Sequence, residues 1–535
     1  MTVLRFLSAI FATGMIAAVL TSSTSARARS PLQSVAPAGD VARCTHLKTL
    51  DFSALSEAPS QILDSRSNGS STESQSLCVV DAYVAPQVGF RLFLPERGWN
   101  QRFIQMGSGG HAGYLSDESC KAAVAKGYAC LITDMGHKGT GLDSQWARNN
   151  VQALIDWGYR ATHVATVSAK AIITAYYGKG PNKSYFSGCS TGGRQALQEA
   201  QKFPWDYDGI IAGAPPIRLS DLYIMFAWSA LANRDAAKHM ILTRADLDLL
   251  NKASLAECDL DDGIKDGLIS RPRQCRFKPS KIACRPGQLS GCLTAQQVKA
   301  AEKIYSGPVD AAGRSISGGG ALPGSERLWA RYYLDDADGE LPYMFPLTRN
   351  GLGDLFSDPQ HPANWTVDQF NFAEDYKKTD AMQALYDSSN PDLTRFAEAG
   401  GKMIMYIGLG DVSMPDTVID YYEKVERLAG GAENAGKFVR LFLLPGVDHC
   451  SGGAGADRVD YLGYLENWVE KNSPPDQMIA THIENDGVSD GRAGGTTFSR
   501  PVYPYPAYPK YKGSGDPASF ESFRRVMPES ERATD

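Results

Sequence analysis

Ser184-Tyr185-Phe186-Ser187-Gly188-Cys189-Ser190-Thr191-Gly192-Gly193-Arg194-Gln195-Ala196-Leu197 is the stretch that decides the fold. Ser184 to Ser187 reads as a strand, and Arg194 to Phe203 as a helix. Between them, Gly188-Cys189-Ser190-Thr191-Gly192 fits G-x-S-x-G. In that context the pattern describes a tight strand-to-helix turn with a serine at its apex, next to the unpaired N–H groups of a helix start. The bland alternative is an ordinary glycine turn. The flanking strand and helix favour a nucleophile, Ser190, with the backbone N–H of Thr191 as one donor to an oxyanion.

Working outward, short apolar strands alternate with helices. Val79 to Val84 and Phe90 to Pro95 alternate as strands, and Phe103 to Met106 runs into Gly107-Ser108-Gly109-Gly110. Ala122 to Lys126 reads as helix, Tyr128 to Thr133 as a buried strand, Arg160 to Tyr177 as helix and Gly209 to Ala214 as strand. The rhythm stops near Pro215-Pro216 and resumes with the strand Lys402–Ile407, the helix Thr417–Leu428, the strand Val439–Leu444 and the helix Tyr461–Lys471. This pattern predicts an α/β chain with a mostly parallel sheet. It reads as one discontinuous α/β domain over 29–216 and 396–535 interrupted by a large insertion over 217–395, and with the serine elbow this is the α/β-hydrolase fold. Residues 29–75 read as a lead-in segment. Residues 500–512, rich in Tyr and Pro, read as an extended surface wrap with no regular sheet.

The first 28 residues read as a signal peptide: Arg5 is the basic residue, Phe6 to Leu20 the apolar run, and Ala26-Arg27-Ala28 the cleavage site. No later run is long and apolar enough to span a bilayer. The expectation is a secreted or periplasmic protein with no membrane partner. Ten cysteines suit up to five disulfides in an oxidising compartment. The net charge of −6 argues against nucleic acid, which needs clustered positive charge.

A serine nucleophile needs a base and an acid, and in this fold they follow in the order Ser, acid, His. Of the eight histidines, His449 follows a strand by a short loop, where the base belongs. His111, His137 and His163 precede the serine; His46, His239 and His361 lack a strand end, and His482 lies in the tail. Asp411 ends the strand Lys402–Ile407 and is the first choice for the acid, with Asp416 and Asp448 as rivals. The loop holding Gly109 and Gly110 follows an early strand, as the second oxyanion donor should. Cys189 precedes the serine and Cys450 follows the histidine, so a meeting of Ser190 and His449 would also bring the two cysteines together.

Within the insertion, Cys258 to Ile269 concentrates carboxylates and glycines. Asp259, Asp262 and Asp266, with the carbonyls of Ile264 and Leu268, offer the hard oxygen ligands that Ca²⁺ prefers; a solvated acidic turn is the alternative.

Gly188 to Gln195, Asp208-Gly209-Ile210-Ile211-Ala212-Gly213-Ala214-Pro215 and Val447-Asp448-His449-Cys450 together resemble the tannase and feruloyl esterase family, which includes the hydrolase of the terephthalate monoester. The resemblance covers nearly the whole chain after the leader. It implies a Ser190–His449–Asp411 triad, a Cys189–Cys450 bridge and a lid domain, the insertion over 217–395, carrying a structural calcium. In that frame Cys258 pairs with Cys275, Cys284 with Cys292, Cys44 with Cys78 and, by elimination, Cys120 with Cys130. The expected activity is hydrolysis of a small aromatic ester, hydroxycinnamoyl or galloyl. Terephthalate-monoester hydrolysis is a second enzymatic reading, and a catalytically idle calcium-dependent binding protein is the reading from another class. Insertion aromatics such as Trp329, Tyr332, Phe345 and Trp365 are candidates for an aryl pocket, against the plainer reading that they form core.

Overall fold

In the computed structural model, residues 39–68, 76–335, 342–412, 415–483 and 497–528 are described. The proposed leader, residues 1–28, lies outside them. A single large sheet runs in the order β1-β2-β3-β5-β4-β6-β7-β8-β9. Its strands are β1 (Ser60–Ser67), β2 (Leu77–Val84), β3 (Val88–Pro95), β4 (Arg102–Met106), β5 (Ala129–Thr133), β6 (Lys183–Cys189), β7 (Gly209–Gly213), β8 (Lys402–Gly408) and β9 (Val439–Leu444). Pairing is antiparallel from β1 to β5 and parallel from β5 to β9. The parallel strands are buried on both faces, which is why β5 and β7 read as unbroken apolar or small-residue runs. One face is covered by the helices Glu118–Ala125 and Tyr461–Lys471, whose Val124, Leu465 and Trp468 pack with Ile104, Tyr185, Ile211 and Ile404. With its long insertion after β7, this is the α/β-hydrolase fold expected from the sequence.

Two expectations need correction. The segment 29–75 is not a plain lead-in: it contains the helix Asp40–His46 and strand β1, which pairs with β2. Likewise the Tyr/Pro-rich tail is not free of regular sheet. Thr497–Val502 pairs with Met478–Ile483, and Tyr508–Tyr511 with Phe523–Val526. Both are two-stranded ribbons, so every strand is an edge strand, where Pro501 and Pro509 are tolerated.

Between β7 and β8 lie the insertion helices, among them Leu219–Ala232, Arg244–Cys258 and Ala295–Ser306. The first is apolar around most of its circumference and is almost wholly buried. Arg194, on the helix that follows β6, has a fully buried guanidinium that donates to the carbonyls of Trp157 at 2.9 Å and Gly158 at 2.6 Å and, in the insertion, to that of Tyr386 at 3.5 Å.

Candidate active site

Ser190 is the single residue between the end of β6 and the helix Thr191–Lys202. Its backbone sits at φ 63°, ψ −124°, where a residue with a Cβ is strained by about 1–3 kcal/mol. The turn is held because the Ser190 N–H donates to the Gly213 carbonyl (3.0 Å) and the Arg194 N–H to the Ser190 carbonyl (3.0 Å). Glycine is required at Gly188, where a Cβ would lie 2.6 Å from the Gly192 carbonyl carbon, and at Gly107, where one would lie 2.6 Å from the Gly192 Cα. The loop after β4 therefore lies directly on the elbow.

That loop is pinned to the elbow helix from two sides. Thr191 Oγ1 donates to the Gly110 carbonyl at 2.6 Å. The Ser108 N–H donates to Gln195 Oε1 at 2.8 Å, and Gln195 Nε2 in turn donates to Thr162 Oγ1 at 2.8 Å. The Thr191 amide lies in the first turn, where helix N–H groups have no intrahelical acceptor. At Gly109 a Cβ would find only the Tyr114 hydroxyl, at 4.0 Å, so this peptide borders open space.

Of the three acids weighed, Asp411 is the one that meets His449: Asp411 Oδ2 lies 2.7 Å from His449 Nδ1. Asp411 is fully buried and the imidazole is partly exposed. Burial disfavours the imidazolium, but the Asp411 carboxylate and its hydrogen bond, with Asp448 further off, outweigh it and hold the His449 pKa above its ordinary 6.5. Asp448 is engaged elsewhere, accepting from the Tyr332 hydroxyl at 2.9 Å and from the His449 backbone N–H at 2.7 Å. Asp416 pairs with Arg273 at 3.0 Å. The loops carrying Asp411 and His449 are tied by the Gly410 N–H donating to the Val447 carbonyl at 2.9 Å.

Cys189 and Cys450 are bonded, with Cα atoms 5.9 Å apart. Ser190 and His449 each lie one Cα step, about 3.8 Å, from a bridged cysteine. The pairs Cys44–Cys78, Cys120–Cys130, Cys258–Cys275 and Cys284–Cys292 also form, as the resemblance implied. A second imidazole–carboxylate pair, His163 Nδ1 to Asp206 Oδ2 at 2.6 Å, is of a different kind. Its Nε2 faces Glu57 at 3.1 Å and Phe203 stacks on the ring at 3.8 Å, so both nitrogens already have partners.

In the insertion, the loop after Cys258 buries Asp259 and Asp262, while Asp261 stays exposed and pairs with Arg271. Asp259 accepts from the backbone N–H groups of Asp266 (3.2 Å) and Gly267 (3.1 Å). Asp262 accepts from Ser270 Oγ at 2.5 Å. Burial pushes Asp262 up to about 6; the Ser270 hydroxyl opposes this, and the nearby Asp266 and Asp259 carboxylates add to it. Asp266 pairs with Arg500 of the tail at 2.7 Å. A cavity of about 20 Å³ opens between Asp262, Asp266, Leu268, Ser270 and Arg500 on one side and Leu444–Pro445 on the other. Leu268 packs so tightly on Gly446 that a Cβ there would come within 2.4 Å of it.

The insertion aromatics divide. Trp329, Tyr332 and Trp365 are buried, and Phe345 lies under the Arg234 guanidinium, 4.8 Å from ring centroid to Cζ. Tyr343 of the insertion and Tyr114, beside Gly109, are exposed. The residues the sequence reading missed are Gln195, His111 and Tyr223, all of which bear on the loop at 107–111. Only Gln195 gave a hint, by its place in the run after the serine.

Comparison with known proteins gives the family. The sequence model described as "Tannase and feruloyl esterase" matches residues 73–526. The chain is 33% identical over 504 residues to the mono(2-hydroxyethyl) terephthalate hydrolase of Piscinibacter sakaiensis, covering 83% of this chain and 82% of that one. It is 33% identical over 448 residues to a probable feruloyl esterase of Arthroderma benhamiae, covering 80% of each. The fold matches crystal structures of feruloyl esterase B from Aspergillus oryzae (TM-score 0.79, 24% identity, 91% of this chain and 100% of that one) and of a tannin acyl hydrolase from Aspergillus niger (TM-score 0.74, 22% identity, 92% and 96%). A serine elbow on this fold, matched over most of its length by that family, leads to one conclusion: the chain belongs to the tannase and feruloyl esterase family and is a carboxylic ester hydrolase.

Proposed function

We propose that the chain hydrolyses esters of aromatic acids, hydroxycinnamoyl or galloyl, through an acyl-enzyme on Ser190. The observation that carries this reading is the Asp411–His449 pair, tethered beside Ser190 by the Cys189–Cys450 bond. Ser190 Oγ attacks the ester carbonyl carbon while His449 takes its proton. The tetrahedral oxyanion is met by the N–H of Thr191 and an N–H from the Gly109–Gly110 loop. Collapse breaks the bond to the alcohol oxygen, which leaves with the proton from His449. Water, deprotonated by His449, then attacks the acyl carbon and releases the acid and Ser190. Asp411 fixes the tautomer and supports the imidazolium.

The carboxylates of Asp259, Asp262 and Asp266, with the carbonyls of Ile264 and Leu268, would hold Ca²⁺ in the insertion, here read as a lid. In support, Asp262 and Asp266 are hard oxygen donors beside a cavity about the size of one ion or water, which Arg500, paired with Asp266, also lines; an ion there would have to displace or share that pairing. Bound there, Ca²⁺ would relieve the repulsion among the acids and stiffen the loop on which Gly446 rests. The five disulfides favour an exported, secreted or periplasmic protein.

Terephthalate-monoester hydrolysis is a second reading, favoured by the relative from Piscinibacter sakaiensis. Turnover of methyl ferulate, methyl gallate and mono(2-hydroxyethyl) terephthalate, with Ser190→Ala as control, separates the readings. Preference for either of the first two supports the proposal. Preference for the third selects the alternative, and failure on all three with activity on simple aliphatic esters overturns both.

A further inference from the structure

We infer that His111 and Tyr223 are a pair of positioning residues through which the insertion sets the geometry of the Gly109–Gly110 loop. The inference rests on the oxyanion role proposed for that loop. His111 follows Gly110 directly and is fully buried. Three contacts fix it: its N–H donates to the Gly141 carbonyl at 2.8 Å, its Nδ1 lies 3.2 Å from the Asp143 carbonyl, and its Nε2 lies 2.9 Å from the Tyr223 hydroxyl.

The partners determine the tautomer. A carbonyl can only accept, so Nδ1 carries the hydrogen, Nε2 offers its lone pair and the Tyr223 O–H donates. Burial pushes the His111 pKa down to about 4, so the ring stays neutral across the working range and this arrangement does not change with pH there. Tyr223 cannot swing away easily. It lies on the buried helix Leu219–Ala232, its ring is 4.5 Å from that of Phe356, and Gly351 packs against it so closely that a Cβ would lie 2.2 Å from the ring.

The opposite side of the same loop is gripped by the elbow helix, through Thr191 Oγ1 on the Gly110 carbonyl and Gln195 on the Ser108 N–H. Gly110 itself has φ 54° and its Cα abuts Gly141. The peptide next to Gly110 is thus clamped between the nucleophile's helix and the insertion. The direction of an N–H donor is what an oxyanion site must hold constant. Neither residue touches substrate in this account; both act through the loop.

The test uses the full chain with 4-nitrophenyl acetate as ester and phenylboronic acid as a probe that becomes tetrahedral on a serine. Tyr223→Phe keeps the ring and deletes only the donor, leaving His111 Nε2 unpaired. The expected result is a loss of about tenfold in kcat with KM within about twofold, and a loss of boronate affinity in step with kcat. His111→Gln, a second variant, should shift the same readouts in the same direction. Unchanged kcat and boronate affinity in folded Tyr223→Phe would overturn the inference, as would a rise in KM alone or a lower melting temperature with kcat intact. Ser190→Ala run alongside keeps the two claims apart. If it stays active, the site assignment fails. If it is dead while Tyr223→Phe equals wild type, only the positioning role fails.

Discussion

Ser190 carries a backbone cost that the proposed nucleophile role explains. A side chain at φ 63°, ψ −124° is held there by the bonds to Gly213 and Arg194 and by backbone crowding at Gly188 and Gly192. Ser190→Gly should therefore abolish esterase activity while stabilising the fold by about 1 kcal/mol, because glycine adopts this backbone without strain. A thermal melt of the pure variant checks it, and a lower melting temperature would contradict the strain argument. His449 makes the second prediction at this scale. The base must be neutral to accept a proton, and its pKa is raised above 6.5, so kcat/KM should fall as pH drops through a value above 6.5. Asp411→Asn removes the two larger raising influences and leaves burial, the largest effect, opposed only by the more distant Asp448, so the pKa falls. The acid limb should move below 6.5, and kcat should fall by about 10⁴, as in other triads. A pH–rate profile with the limb unmoved would point to another group.

The elements differ in how plainly the sequence announced them. The elbow was legible because strand, G-x-S-x-G and helix each carry a local signal. His449 and Asp411 were legible because each follows a strong apolar strand. Strand β1 was not: Ser60-Gln61-Ile62-Leu63-Asp64-Ser65-Arg66-Ser67 buries Ser60 and Ser65 on its inner face, so the apolar alternation that marks a strand is missing. The tail strands were hidden by prolines that only an edge can accept. His111 and Tyr223 were hidden by distance, since no periodicity links positions so far apart in the chain. Among long-range links, only Cys189–Cys450 left a mark, because each cysteine adjoins a residue of the proposed triad. Replacing both by alanine removes a cross-link worth up to about 5 kcal/mol in the chain-entropy model. It should lower kcat more than it raises KM, since a shift of about 1 Å at the triad costs on the order of a hundredfold. Steady-state kinetics on the folded double variant decide this, and an unchanged kcat would mean the bridge serves stability alone.

At the scale of the whole molecule, the insertion and tail brace the segments next to Asp411 and His449. Arg273 reaches Asp416 and Asp420 on the helix Pro415–Leu428, each at 3.0 Å. Arg500 of the tail meets Asp266, and Leu268 backs Gly446, three residues before His449. If calcium occupies the Asp259/Asp262/Asp266 loop, its removal should reach the active site along this path. Chelation should lower the melting temperature by several degrees and reduce kcat, and Asp262→Ala should do the same without chelator. Elemental analysis that finds no calcium, together with a melt indifferent to chelator, would leave the loop as an acidic turn braced by Arg500.

The central claim, that Ser190 is the nucleophile activated by His449, is tested most directly by covalent capture. The wild-type chain is treated with a fluorophosphonate, digested and mapped by mass spectrometry, with Ser190→Ala and His449→Ala alongside. The account predicts a single phosphonyl adduct on the peptide containing Ser190, absent in Ser190→Ala and formed far more slowly in His449→Ala. An adduct on another serine, or equal labelling in His449→Ala, would contradict it.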